Sequence, residues 1–289
     1  MVWISSRWKI ALMLAPALAF FTVFIAYPLG YSLVFSLTKF QGFGEPEFIG
    51  LANYAALFDD PFFWRSLQNT LIILVVSLAV LVPGSFGLAL LLRRTVRAGG
   101  ALRALVFAPA IIAPILVGLI WVFLLDPKIG LLNRALAGIG VGPVQWIGGD
   151  TLTPYAVALV FIWSSIGFAM TIFYAGRQVL PEDVLEASSL DGASGWQQLR
   201  YVTVPMMRET FAIVTILMIT NVFKIFELVY MLTGGGPVHR SETLVSYMYF
   251  LTFTNQKYGL GMSLAVIITL LGAVVSVAYL LVSRERRTA

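Results

Sequence analysis

Six long apolar runs, separated by short polar segments, dominate the hydrophobic pattern of this 289-residue chain. A helix that crosses the hydrocarbon core of a bilayer needs about 20 largely apolar residues. The runs are continuous and lack the period-two alternation of outer-membrane strands, which favours helices over a barrel. We predict an all-α membrane protein with one transmembrane domain, residues 1–289, and six transmembrane helices. The predicted spans are residues 10–35, 70–92, 104–125, 155–174, 211–230 and 260–282.

The composition supports a membrane location. Hydrophobic residues make up 59% of the chain and charged residues 11%, against about 45–50% and about 25% in a typical soluble domain. One water-soluble core cannot hide so much apolar surface, so membrane lipid is the expected contact. The absence of cysteine excludes disulfides and thiol chemistry. With a single histidine, His239, no metal site is predicted.

The chain has a net charge of +5. We attribute this excess to basic residues that mark the cytoplasmic side of a membrane protein, and no nucleic-acid partner is predicted. Cytoplasmic loops of membrane proteins are rich in Lys and Arg. Six spans place both termini on one side, and the basic residues indicate that this side is the cytoplasm. The cytoplasmic segments hold Arg7, Lys9, Arg93, Arg94, Arg97, Arg103, Arg177, Arg200, Arg208, Arg284, Arg286 and Arg287. The external loops hold only Lys39, Arg65, Lys128, Arg134, Arg240 and Lys257.

The first span has two interpretations. Because basic residues precede it, it could be a cleaved signal peptide. Its apolar run is too long for that, so a membrane anchor is favoured.

The cytoplasmic segment 177–208 is the most polar stretch of the chain. Pro181 and the two acidic residues after it are typical of a helix start, and Gly192 can end that helix in a left-handed conformation. Ser194 suits the N-cap of a second short helix, which Pro205 is predicted to end. On local pattern alone, the two helices could simply connect two spans at the membrane interface. The predicted apolar stripe on the first helix comprises Val184, Leu185, Ala187 and Leu190.

The spacing of Glu186-Ala187-Ser188, Gly192 and Val202-x-Val204-Pro205 resembles the coupling signature of binding-protein-dependent ABC importer permeases. That signature is Glu-Ala-Ala, three residues, Gly, nine residues, and then Ile-x-Leu-Pro. The spacing is kept, with Ser in place of the second Ala and Val in place of Ile and Leu. The resemblance implies that this segment couples the permease to its ATPase. The residues concerned are Glu186, Ala187, Ser188, Asp191, Gly192, Ala193 and Pro205.

Further regions are similar to the sugar-importing branch of that family, and they occur in the family's order. They are residues 48–54 with 62–64, Trp121 with 130–133, and 232–237 with 242–244. The resemblance implies a type I ABC importer permease fold in the inner membrane of a bacterial or archaeal cell. The implied partners are a second, related permease, an ATPase dimer that binds ATP and Mg, and an extracytoplasmic solute-binding protein.

The chain itself is not expected to be an enzyme. It contains no Gly-x-x-x-x-Gly-Lys-Ser/Thr phosphate loop and no nucleophile–base constellation, so no catalytic residue and no cofactor of its own are predicted. The resemblance implies instead that it forms the translocation path for a carbohydrate or related polyol, by alternating access.

Polar side chains interrupt the fifth predicted span. Asn221, Lys224 and Glu227 recur every three residues, which predicts one polar stripe on a helix that faces the bundle interior. Lys224 and Glu227 could form a structural ion pair within the chain or with a second permease, or the stripe could line the substrate path. A third possibility is an ion-driven secondary transporter in which these two side chains relay protons.

The fourth predicted span offers a second set of candidates for the substrate path. By the same resemblance, this region faces the cavity from the opposite side. Aromatic faces and hydroxyl groups suit a sugar, whose C–H face stacks while its hydroxyls form hydrogen bonds. Packing between helices is the other explanation for aromatic residues here. The candidates are Trp163, Ser164, Ser165 and Phe168.

Overall fold

The computed structural model describes residues 7–92, 99–149, 151–236, 239 and 241–285. Some of the basic residues used to predict the orientation of the chain lie outside these ranges. They are Arg93, Arg94, Arg97, Arg240, Arg286 and Arg287. Helix dominates the described ranges. The α-helices are α1 (Arg7–Phe21), α2 (Tyr27–Ser36), α3 (Ala52–Phe58), α4 (Pro61–Leu91), α5 (Gly99–Phe107), α6 (Pro114–Leu124), α7 (Leu131–Ala137), α8 (Thr153–Gln178), α9 (Glu182–Leu190), α10 (Gly195–Gln198), α11 (Val204–Met206), α12 (Arg208–Phe223), α13 (Glu227–Thr233), α14 (Leu244–Tyr249) and α15 (Tyr258–Glu285).

Wider and tighter helical turns extend several of these helices. π-helical turns occupy Thr22–Ala26, Leu199–Thr203 and Phe250–Thr254, and a 3₁₀ turn occupies Ala108–Ile111. Strands β1 (Thr38–Lys39) and β2 (Glu47–Phe48) form a short antiparallel pair, in which Thr38 lies opposite Phe48.

The membrane prediction is confirmed in fold class. In the described ranges, four continuous helices are long and apolar enough to cross a bilayer, and the number rises to six if each of two bent helix pairs counts as one span. The continuous helices are Ile10–Ser36, Pro61–Leu91, Thr153–Gln178 and Tyr258–Leu281. The bent pairs are Gly99–Ile111 with Pro114–Leu124, and Gly195–Met206 with Arg208–Phe223.

The third predicted span, 104–125, is not one continuous helix. Its two halves meet at an angle of 97° at residues 112–113. Pro114 begins the second half, and the residue before it, Ala113, has an extended ψ of 134°. Proline disfavours helical backbone in the preceding residue and has no N–H to donate, which explains a break at this point.

The fifth predicted span, 211–230, is also interrupted. Helix α12 ends at Phe223 and α13 begins at Glu227, and Phe226 between them has φ −131° and ψ −65°. The prediction that three polar side chains lie on one uninterrupted helix face is therefore wrong. Pro205 does not end the second cytoplasmic helix either, because the helical run continues to Met206 and then bends by 67° into α12.

The chain divides into two compact units. The first comprises the described part of Met1–Pro61 together with Met248–Leu270. Buried Asn53 organises this unit: its amide donates to the carbonyls of Ser36 and Thr38 over 2.9 and 2.8 Å. The Ser263 hydroxyl donates to the same Ser36 carbonyl over 2.9 Å. These bonds fix the end of the first span against the segment that comes after it.

The second unit comprises Phe62–Tyr247 and the described part of Leu271–Ala289. Its core contains a cluster of Phe86, Phe173 and Phe211, whose ring centroids lie 4.7–5.5 Å apart and join α4, α8 and α12. Arg103 reinforces this unit by donating from Nη1 to the Leu92 carbonyl over 3.1 Å and lying 4.5 Å from the centre of the Tyr174 ring. The single-domain organisation stays a prediction.

Candidate functional site

A cavity of about 430 Å³ lies within the second unit. Its walls come from the broken third span, from α8 and from the broken fifth span. Six of the seven side chains predicted for a substrate path line it: Ser164, Ser165, Phe168, Asn221, Lys224 and Glu227.

Helical spacing explains the contribution of α8. Phe161, Ser164, Ser165 and Phe168 recur at intervals of three and four residues, so they occupy one face of the helix and all line the cavity. Sequence reasoning missed Phe161. Its spacing relative to the two serines was the signal that could have identified it.

Trp163 does not line the cavity. Successive residues of an α-helix are rotated by about 100°, so Trp163, two residues from both Phe161 and Ser165, lies on the side of α8 that faces away from the cavity. The Trp163 ring instead packs edge to face on Trp121, with the ring centroids 5.5 Å apart. The packing interpretation of this residue is therefore the one that the structure supports.

The helix break of the fifth span, which forms part of the cavity wall, is stabilised by a segment that comes later in the chain. The Thr243 hydroxyl donates over 3.2 Å to the carbonyl of Ile225, which lies within the break and also lines the cavity. Thr243 is 1% exposed. The adjacent Leu244 N–H donates to the Thr70 hydroxyl on α4 over 3.1 Å. The segment 242–244, identified in the sequence by resemblance, thus fixes the backbone beside the cavity.

Lys224 and Glu227 are both exposed on the cavity side. Within the part of the chain that the structure describes, they form no ion pair with each other, since the ion pair found there joins His239 and Glu242. The described contacts thus give no support to a pair that neutralises itself inside this chain, and pairing in the assembled complex, with each other or with a second permease, stays a prediction. Their role in a substrate path stays a prediction.

The corner between α9 and α10, called the cytoplasmic corner because the charge pattern predicts that side, agrees closely with the sequence expectation. Helix α9 ends at Leu190, and Gly192 adopts the left-handed region with φ +81°. The N–H of Gly192 donates to the Ser189 carbonyl and that of Ala193 to the Ser188 carbonyl, over 3.2 and 3.0 Å. This pair of bonds is the Schellman arrangement of a helix C-terminus.

The second cytoplasmic helix begins as predicted at Ser194. Its hydroxyl accepts from the Gln197 N–H over 3.3 Å, and the Gln197 side chain accepts from the Ser194 N–H over 2.7 Å. This reciprocal capping box satisfies two N–H groups that would otherwise lack partners.

The cytoplasmic corner exposes apolar side chains to solvent. Leu190 is 89% exposed, and Trp196 and Tyr201 are each 68% exposed. The predicted apolar stripe on α9 is therefore not buried within this chain. Glu186 is exposed on the same helix, so the corner combines an apolar surface with a carboxylate. No group of three or more potential metal ligands was found among the described residues.

A bundle of apolar helices, a cavity between broken spans and an exposed cytoplasmic corner define a membrane transport protein. The chain belongs to the family of binding-protein-dependent transport system inner membrane components, whose family model matches residues 81–288. It is 33% identical over 265 residues to the probable ABC transporter permease protein YurN of Bacillus subtilis, covering 90% of each chain. It is 30% identical over 277 residues to the trehalose/maltose transport system permease protein MalF of Thermococcus litoralis, covering 96% of this chain and 94% of that one.

A solved structure shows the same fold. A chain of a bacterial ABC transporter involved in the import of alginate matches with a TM-score of 0.82 at 23% identity, covering 96% of each chain. The resemblance inferred from the sequence is thus confirmed. The protein is an ABC importer permease and a component of the inner membrane, and its family is that of a transport subunit, not of an enzyme. The ion-driven alternative receives no support from these relatives.

Proposed function

We propose that this chain forms, together with a second related permease, the membrane path for a carbohydrate or related polyol. The observation that carries the proposal is the shared lining of the cavity by Ser164, Ser165, Asn221 and two phenylalanines. Hydroxyl and amide groups can both donate to and accept from sugar hydroxyls, while aromatic faces cover the apolar C–H side of a sugar ring. The relative whose name gives trehalose and maltose supports the same class of solute.

An ATPase dimer that binds ATP and Mg is the proposed source of energy, and the exposed corner around Glu186 and Leu190 is its proposed docking surface. A solute-binding protein would deliver the solute from outside, as the family's description indicates. The first span supports a further partner: none of its most apolar window is buried within the chain. That leaves its surface for lipid and for the second permease.

The connectivity suggests how docking moves the cavity. Helix α8 carries Ser164 and Phe168 and ends at Gln178, only a short turn before α9 begins. On the other side, the run from α10 leads through the 67° bend into α12, which carries Asn221. When the ATPase subunits close on ATP, α9 would act as a lever on both walls and open the cavity outward. Hydrolysis would reset it.

The orientation of the chain is the first point to test. Reporter domains inserted near Gly99 and fused after Ala289 are expected to lie in the cytoplasm, and one inserted near Gly148 is expected to lie outside. Alkaline phosphatase and green fluorescent protein fusions at the three positions measure this directly. Activity of the phosphatase at either of the first two positions would contradict cytoplasmic termini.

Lys224→Met and Glu227→Gln test the substrate path. Because neither side chain is buried or paired with the other, each variant is expected to assemble in normal amounts. Uptake is expected to fall about tenfold or more, since a hydrogen bond to a charged group contributes about 1.5–3 kcal/mol. The measurement is uptake of the solute that copurifies with the cognate binding protein, normalised to assembled complex.

Lys128→Met is the matched control, because Lys128 is exposed and lies in the external turn after α6. It should assemble and transport normally. If instead the single cavity variants lose assembly and the double variant Lys224→Met with Glu227→Leu regains it, the two residues form a buried pair. Normal uptake by both single variants would remove these residues from the path.

A further inference from the structure

The side chain of Gln198 bridges the cytoplasmic corner. Its amide Nε2 donates to the Leu185 carbonyl over 2.6 Å, to the Ser188 hydroxyl over 2.8 Å and to the Ser189 hydroxyl over 3.2 Å. Gln198 belongs to α10, whereas its three partners belong to α9. One side chain therefore connects the two helices on either side of Gly192.

The partners are arranged to receive this amide. The Ser188 and Ser189 hydroxyls also lie 2.8 and 3.0 Å from the Leu185 carbonyl oxygen, so the two hydrogens of the Gln198 amide share a cluster of three acceptor oxygens. Ser188 is the position at which this chain departs from the alanine of the coupling signature. The departure thus introduces a hydroxyl that the facing helix uses.

The backbone bonds of Gly192 and Ala193 close the end of α9 but do not reach α10. Gly192 meets no atom within 4 Å of the position a Cβ would take, so no side-chain packing restrains the turn there. The capping box of Ser194 and Gln197 stabilises only the start of α10 and does not reach α9. Among the described residues, Gln198 is the side chain whose hydrogen bonds join α9 and α10.

The stiffness of this corner matters because the corner leads directly into the cavity wall. From Gln198 the helical run continues to Met206 and bends into α12, which carries Asn221 in that wall. A displacement of α9 moves the cavity wall only if α9 and α10 move together as a rigid unit. A flexible corner would let α9 move while α12 stayed in place.

We propose that Gln198 is a positioning residue that makes α9 and α10 move as one body and so transmits the movement of the ATPase to the fifth span. This inference rests on the proposed function, since it assumes that an ATPase docks on α9. It adds Gln198, a residue outside the coupling signature, to the residues that couple the permease to the ATPase. It also assigns a role to Ser188, which replaces the second alanine of the signature.

The absence of cysteine permits a direct test that needs no knowledge of the solute. Asn221→Cys introduces a single thiol into the cavity of this chain. The complex, purified with its ATPase subunits, is treated with a membrane-impermeant maleimide with and without ATP plus vanadate. Labelling of this chain is quantified. With Gln198 present, trapping the ATP state is expected to change the labelling rate.

In the same background, Gln198→Met keeps a similar length and helix preference but cannot donate. The ATP-dependent change in labelling should fall about threefold to tenfold, the factor expected for the loss of about one net hydrogen bond, while ATP is still hydrolysed. Gln198→Lys, which keeps a donor, should recover most of the change. Gln178→Met is the control, because this glutamine lies at the end of α8 and is exposed there.

Each result decides the question. An unchanged labelling response in Gln198→Met would overturn the inference. Should that variant fail to assemble, Gln198→Asn takes its place, because its amide is one carbon too short to reach Leu185, and it should give the same loss. If the complex with Gln198 intact shows no response to ATP, the proposed coupling itself fails, which is a different outcome from a response that does not depend on Gln198.

Discussion

Replacing Gly167 with alanine should remove most of the permease from the membrane. A Cβ at this position would overlap the carbonyl oxygen of Val106 and lie 2.7 Å from the Cα of Phe107, both of them backbone atoms of α5. Backbone cannot rotate away as a side chain can, so α5 and α8 would have to separate. Small residues at such crossings are what allow membrane helices to pack closely. Overpacking of this kind costs about 1–3 kcal/mol, enough to change cellular abundance several-fold.

The amount of folded chain in detergent extracts, followed by fluorescence-detected size exclusion, measures this effect. Gly87→Ala is the matched control, since Gly87 lies inside α4 and an added Cβ meets nothing within 4 Å. That variant should be neutral or gain about 1 kcal/mol from the better helix propensity of alanine. Equal amounts of the two variants would show that α5 and α8 do not depend on a glycine contact.

The sequence predicted the membrane class and the continuous spans because each is a long apolar run. It failed where an apolar run contains a break. The residues on both sides of 112–113 are apolar, and hydropathy carries no information about backbone direction. Pro109 and Pro114 were the available signal for the third span. The fifth span offers no proline inside its break at 224–226, and its backbone there is held by Thr243 from a distant part of the chain.

The residues that line the cavity were predicted in part from an assumption that the structure does not support. Asn221, Lys224 and Glu227 were assigned to one helix face, yet Asn221 lies on α12, Lys224 lies in the break and Glu227 begins α13, and all three still line the cavity. Trp163 was assigned to the cavity by the resemblance of its region to the family and by residue type. Its position two residues from Phe161 and from Ser165 places it on the far side of α8, where it packs against Trp121 instead. Residue chemistry identified the right region, and helical geometry decided which side chains belong to it.

The cytoplasmic corner was the most predictable part of the molecule, because its signals are local. The left-handed Gly192 and the Ser194 N-cap are both confirmed. The Gln198 bridge could not be predicted, since a glutamine in a short helix has many possible partners. Only the angle between the two helices brings its amide to Leu185.

Gly192→Val is expected to abolish ATP-driven uptake while the chain still inserts in the membrane. A φ of +81° is unfavourable for any residue with a Cβ, by about 1–2 kcal/mol, and most unfavourable for a β-branched one. The variant can relieve that strain only by changing the angle between α9 and α10. A changed angle misplaces Glu186 and Leu190 relative to an ATPase. The measurements are copurification of the ATPase and uptake per assembled complex.

A graded series identifies backbone strain as the cause. Asparagine tolerates the left-handed region better than alanine, and alanine better than valine, so uptake should decline in the order Gly192→Asn, Gly192→Ala, Gly192→Val. An added Cβ meets no atom within 4 Å, so steric contact inside this chain does not predict any order. Gly195→Val is the control, because Gly195 begins α10 without a positive φ and also has open space around it. If Gly195→Val is as harmful as Gly192→Val, the exposed surface of the corner matters and its backbone conformation does not.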